Sequence, residues 1–157
     1  MTTFLGRAVH YLAGEVGIDQ FIAIGRGLVA MENVHQVAQR SFPRARVVYV
    51  DNDPAAVPHA EALLTTTTGV SVISEDFRKP ERVLVRTGRT LDLSRPVALI
   101  LAEIAHFIPD SGEPGELVRR YVDSLAPGSH LVLTHAYLTA ALTLIPRVRA
   151  ETDQLEA

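Results

Sequence analysis

The chain has 157 residues, enough for one domain with a sizeable core, here taken as 1–157. Hydrophobic residues make up 47% and charged residues 21%, and the net charge of −3 gives no bulk attraction to nucleic acid or anionic membranes. The lack of cysteine excludes disulfides, thiol catalysis and Cys-ligated zinc, and no apolar run is long enough to span a bilayer. The opening stretch from Met1 to Gly14 lacks the basic-then-apolar layout of a signal peptide, so a cytoplasmic location is expected.

Leu5, Ala8, Val9 and Leu12 form one stripe of a helix, with Gly14 and Gly17 suited to its end. Phe21 to Ile24 is a short apolar run stopped by Gly25, as a buried parallel strand would be. Val34, Val37 and Ala38 start a second helical stripe that lasts until Pro43. Arg46 to Val50 reads as a β-branched strand closed by Asp51-Asn52-Asp53-Pro54, where Asp53 suits a helix N-cap and Pro54 the first helical position. The helix that follows carries Ala60, Leu63 and Leu64. Val70 to Ser74 is a third strand ending at Glu75-Asp76, and a short helix is expected near Glu81 to Val85. Val97 to Leu101 is the most apolar strand. A helix with Val118, Tyr121, Val122 and Leu125 on one face leads through Ala126-Pro127-Gly128 to a strand at His130 to Thr134. Leu138, Ala141, Leu142 and Ile145 form a last helical stripe.

Strands alternating with helices mean one parallel sheet covered on both faces, an α/β fold. Right-handed crossovers make a Rossmann-like doubly wound sheet of about five strands, in the order 3-2-1-4-5, the expected topology. Ligands of such sheets sit at the carboxyl ends of the strands. Gly25-Arg26-Gly27 follows the first strand, where glycines let a backbone approach a ligand, although any tight turn uses them too. Asp51 closes the second strand and can accept both hydroxyls of a ribose. Asp76 closes the third and can accept from an adenine amino group, with Phe77 placed to flank the ring.

Phe21 to Gly27, Val48 to Pro54, Asp76-Phe77-Arg78, Pro96 to Leu99, His106 to Asp110 and Leu125 to Ser129 stand in the same order as in class I S-adenosylmethionine-dependent methyltransferases, which the chain resembles. The nearest resemblance is to the S-adenosyl methyltransferase family abundant in actinomycetes, long catalogued as a domain of unknown function. The resemblance runs from about Leu5 to Ala136, and the Asp-Asn-Asp-Pro run and the Leu-Ala-Pro-Gly-Ser turn are its specific parts. It implies S-adenosylmethionine as cofactor, with Gly25 and Gly27 beside the methionine part. It also implies Asp51 on the ribose with Asn52 adjacent, and Asp76 and Phe77 at the adenine.

The chain departs from the family at Ala23, where an acid is usual, at Arg26, where a small residue is usual, and at Glu103, where an apolar residue is usual. Arg26 can pair with the methionine carboxylate, fill the site or point to solvent. Glu103 and His106 share a side if their segment turns helically, and both then face the transferable methyl group. His106 is the expected general base, with Glu103 orienting it or binding a substrate amine. Relative to the family, the chain is expected to lack an upstream covering segment and the terminal strand pair. The fifth strand is then an open edge, and a homodimer through that edge and the Leu138 to Val148 segment is expected.

The histidines show no metal spacing, no Walker lysine follows the glycines, and no Gly-x-Ser-x-Gly elbow is present. Gly25-x-Gly27-x-x-Ala30 nominally meets the dinucleotide fingerprint, but the next helix is expected only near Glu32 or Asn33, too far on for a pyrophosphate at its end. The expected function is O- or N-methylation of a small molecule. The alternatives are a biosynthetic cyclase or isomerase on the same fold, and a non-catalytic binding partner.

Overall fold

A computed structural model describes residues 3–25, 33–64 and 66–135. The order of elements is α1 (Phe4–Tyr11), β1 (Gln20–Gly25), α2 (Val34–Ser41), β2 (Arg46–Asp51), α3 (Ala56–Leu64), β3 (Val70–Ser74), α4 (Pro80–Thr87), β4 (Ala98–Ala102), α5 (Pro114–Asp123) and β5 (His130–Thr134). All strand pairs are parallel and the sheet runs β3-β2-β1-β4-β5, the expected order.

The alternation of side chains along each strand sorts the core into two layers. Phe21, Ala23, Val47, Tyr49, Ala98 and Ile100 face the layer made with Val9 and Leu12 and with Val34, Val37 and Ala38 of α2. Ile22, Ile24, Val48, Val50, Leu99 and Leu101 face the opposite layer, with Val83 of α4 and Leu117 and Tyr121 of α5. Both faces of the central strands are therefore apolar, which is why they read as continuous runs. Ala23 is itself buried in this core.

Local signals set the element ends. Thr3 caps α1 by accepting from the Gly6 N–H at 3.0 Å. A single π-helical turn, Leu12–Val16, follows and is closed by Gly17 at φ +82°. Asn33 is the N-cap position of α2, and its own N–H donates to the Gln36 side chain at 2.9 Å. On α5 the apolar face is carried by buried Leu117 and Tyr121, whereas Val122 is 42% exposed. The expected stripe through Val122 is corrected accordingly: Tyr121 fixes which way the helix is turned.

Two buried polar contacts lock the layers. The Gln20 side chain donates to the Asp92 carbonyl at 2.9 Å and accepts from the Asp92 N–H at 2.7 Å, tying the start of β1 to the loop before β4. The Tyr49 hydroxyl accepts from the His35 backbone N–H at 3.0 Å and lies 2.8 Å from His35 Nδ1. Burial holds His35 below its ordinary pKa. Tyr49→Phe is expected to destabilise the fold by about 1–2 kcal/mol, because a first-turn N–H of α2 and a ring nitrogen lose their shared partner. A shifted urea midpoint with an unchanged slope is the expected observation.

Within the described residues β5 is a sheet edge, with Leu131 and Leu133 partly exposed and Val132 buried. Leu138 to Val148, expected to cover that edge or pair with a second copy, lies outside the described residues. Among the described residues no helix is long and apolar enough to cross a membrane, and no group of side chains could hold a metal ion.

Candidate functional site

Where the sheet order turns back on itself, between β1 and β4, the chain leaves a crevice beyond the carboxyl ends of the strands. A cleft of about 370 Å³ opens there, lined from Ile24 and Gly25 across Val50, Asp51 and Asn52 to Glu75, Asp76, Phe77 and Arg78. Its other wall is Glu103, Ile104, Phe107, Ile108 and Pro109. Gly25, Asp51, Asn52, Asp76, Phe77 and Glu103, each singled out from the sequence, thus line one cavity. Arg26 and Gly27 lie outside the described residues, as does the side chain of His106.

Gly25 has φ +100°, a left-handed conformation, and an added Cβ would lie 2.4 Å from the carbonyl oxygen of Ala102, its register partner on β4. The glycine is therefore required by strand packing, and its backbone lines the cleft. Asp51 folds back on its own loop: Oδ1 accepts from the Asp53 N–H at 2.9 Å, and Asp53 accepts in turn from the Ala55 N–H at 2.8 Å. This pair of Asx turns carries the chain from β2 into α3 and fixes Asp51 at the cleft edge. The carboxylate retains acceptor capacity on Oδ2.

The β3 end is more committed. Arg78 grips Asp76 through Nε at 3.1 Å to Oδ1 and Nη2 at 2.8 Å to Oδ2, and the Arg78 N–H also donates to Oδ1 at 2.9 Å. That guanidinium holds the Asp76 carboxyl below its usual pKa. An ionised carboxylate offers about four lone-pair sites, so Asp76 can still accept from a ligand amino group while Arg78 stays in place. Glu75 is nearly buried and faces Arg86 at 3.3 Å and Arg82 at 3.4 Å. Phe77 lines the cleft but is only 4% exposed, its ring stacked on Tyr121 with centroids 5.2 Å apart. The Tyr121 hydroxyl donates to the Phe77 carbonyl at 2.6 Å, which anchors this turn to α5. The ring thus approaches the cleft from inside the core.

At the β4 end the structure corrects the expectation of a helical turn through Glu103. Glu103 is in a left-handed conformation at φ +51°, and helical geometry begins only with the 3-10 turn Ala105–Phe107. The i, i+3 relation of Glu103 to His106 therefore carries no common helical face. The Glu103 N–H is held by both the carbonyl of Thr134, at 3.1 Å, and its hydroxyl, at 2.9 Å. A left-handed backbone costs a residue with a Cβ on the order of 1 kcal/mol. Glu103→Gly is accordingly expected to raise stability by roughly 0.5–1 kcal/mol while removing a carboxylate from the cleft. Thermal unfolding of the two proteins side by side measures this.

Sequence reasoning assigned no role to Arg78, Thr134 or Tyr121. The spacing of Asp76 and Arg78, two residues apart at a strand end, was an available signal for the first; the other two act across long sequence separations.

A family model described as S-adenosyl methyltransferase matches residues 2–155. No curated protein matches the chain. A candidate methyltransferase from Thermobifida fusca is 38% identical, superposes with a TM-score of 0.82, and is matched over 96% of this chain and 56% of its own. A DUF574 family protein from Streptomyces avermitilis is 37% identical, with a TM-score of 0.81 and coverage of 96% and 59%. This chain thus spans a little over half the length of those two proteins. The N-methyltransferase NodS from Bradyrhizobium japonicum, solved with S-adenosyl-L-homocysteine, shares the fold at 18% identity and a TM-score of 0.52, over 80% of this chain and 57% of its own. By the family model that matches nearly its whole length, the chain belongs to the S-adenosyl methyltransferase family.

Proposed function

We propose that the chain binds S-adenosylmethionine in the cleft at the strand ends and transfers its methyl group to oxygen or nitrogen of a small molecule. The observation that carries this reading is the convergence of Asp51 and Asp76 from two different strand ends on one cavity with Gly25 at its floor. The volume of about 370 Å³ falls in the range of small-molecule sites, and its walls mix apolar side chains with a few polar groups. The acceptor set fits the cofactor: an acid with free acceptor capacity for vicinal hydroxyls, and a second acid for an exocyclic amine.

In this reading Asp51 accepts from the ribose hydroxyls, with Asn52 beside it. Asp76 accepts from the adenine amino group, and Phe77 with Ile24 and Val50 supplies apolar contact. Gly25, with Gly27, admits the amino-acid tail close to the backbone. When bound, S-adenosylmethionine supplies a methyl group already activated on a sulfonium. The protein's task is then to align an acceptor and keep water out, contributions that rest on orientation. His106 is assigned the removal of the acceptor's proton, and Glu103 the placement of the acceptor.

Incubation with methyl-labelled S-adenosylmethionine and a fractionated extract tests the reading. Label is expected in the small-molecule fraction, and it should fall to background with Asp51→Ala. Label confined to protein or nucleic acid, or none in any fraction, would contradict it.

A further inference from the structure

The cleft has two chemically different ends. Asp51 ends β2 and Glu103 follows β4, and these strands flank β1, so the two backbones stand about 10 Å apart, two strand spacings. Among the charged side chains that line the cleft, Arg78 is committed to Asp76, and Glu75 is matched by Arg82 and Arg86. That leaves Asp51 and Glu103 without a cationic partner among the described residues. At the Glu103 end the neighbouring wall is Phe107, 59% exposed, with Ile104 and Ile108. A carboxylate and an exposed aromatic ring lining one cleft are the chemistry that recognises ammonium groups, through Coulomb attraction and the electron-rich ring face.

The backbone that carries this carboxylate is held in place. The Glu103 N–H donates to both Thr134 oxygens, and the left-handed turn at φ +51° sends the chain away from the line of β4. Loss of the Thr134 hydroxyl would leave only the carbonyl to hold that turn.

We propose that Glu103, positioned by Thr134 and paired with Phe107, selects an acceptor carrying a protonated amine or other ammonium group. The inference rests on the methyltransferase reading only in calling that ligand an acceptor. Thr134 acts as a positioning residue and Glu103 as the contact that reads charge.

Benzylamine and the uncharged isostere benzyl alcohol are suitable probes at neutral pH, with binding followed by ligand-observed NMR on the full chain. Benzylamine is expected to bind at least about fivefold more tightly than benzyl alcohol, and Glu103→Gln to erase that preference. Thr134→Val is expected to weaken benzylamine about threefold and leave benzyl alcohol unchanged, while Thr134→Ser restores the preference. S-adenosyl-L-homocysteine binding is measured on the wild-type protein alongside. Equal binding of the two probes, undetectable benzylamine binding at millimolar concentration, or an amine preference that survives Glu103→Gln would overturn the proposal. Loss of S-adenosyl-L-homocysteine binding in the wild type with the amine preference intact would instead count against the methyltransferase reading and leave charge selection standing.

Discussion

Gly25→Ala is expected to destabilise the chain by about 2–4 kcal/mol, the largest effect of any single substitution at the cleft. Two costs add. The residue sits at φ +100°, where a Cβ is strained whatever the space around it. That Cβ would also fall 2.4 Å from the Ala102 carbonyl oxygen and 3.3 Å from the Ile104 side chain. The carbonyl cannot retreat, because Gly25 and Ala102 are register partners on adjacent central strands. β1 and β4 must therefore separate at their carboxyl ends, where the cleft floor lies. Equilibrium unfolding in urea is the measurement, and a midpoint within error of wild type would show that the strand ends yield far more easily than the register implies.

Asp51→Ala is expected to lower affinity for S-adenosyl-L-homocysteine by about 10- to 100-fold, the scale of a charged acceptor lost from hydroxyl donors. The substitution also removes the Oδ1 that accepts from the Asp53 N–H at 2.9 Å, so part of the loss is loosening of the loop into α3. Asp51→Asn separates the two. An amide oxygen can still close the turn, which keeps the fold, but the negative charge is gone. Asn is thus expected to recover the stability lost in Ala and only a minor part of the affinity. Calorimetric titration beside thermal unfolding distinguishes the outcomes, and full affinity in either variant would remove Asp51 from the site.

Much of this fold was readable from the order of residue types. The strands are buried on both faces, so Phe21 to Ile24 and Val97 to Leu101 appear as unbroken apolar runs that only a covered parallel sheet explains. Glycines, prolines and Asx residues then marked the ends. The face of α5 was less legible, because Val118 and Val122 are as apolar as Leu117 and only packing decides which turns inward. Asp51 and Asp76 were found by one rule, that ligands gather at strand ends, and Glu103 as a departure from the family's usual apolar residue; all three line one cavity.

What the sequence hid is conformation and long-range contact. Nothing in the identity of Glu103 signals a left-handed backbone, a state more often taken by glycine or asparagine. The double hold of Thr134 on Glu103 depends on β5 lying beside β4. Likewise the stack of Phe77 on Tyr121 joins a β3 loop to a helix face 44 residues away. The grip of Arg78 on Asp76 is local, yet it changes the reading of that acid from an open acceptor to one already half engaged.

A single calorimetric titration reaches the heart of the matter: S-adenosyl-L-homocysteine into the wild-type chain, then into Asp51→Ala and into Asp76→Ala. Saturable one-to-one binding that weakens in both variants is the expected result, since acids on two strands would be sharing one nucleoside. Heat indistinguishable from dilution up to millimolar ligand, or binding indifferent to both substitutions, would mean that the cleft between β1 and β4 is not where this family member meets its cofactor.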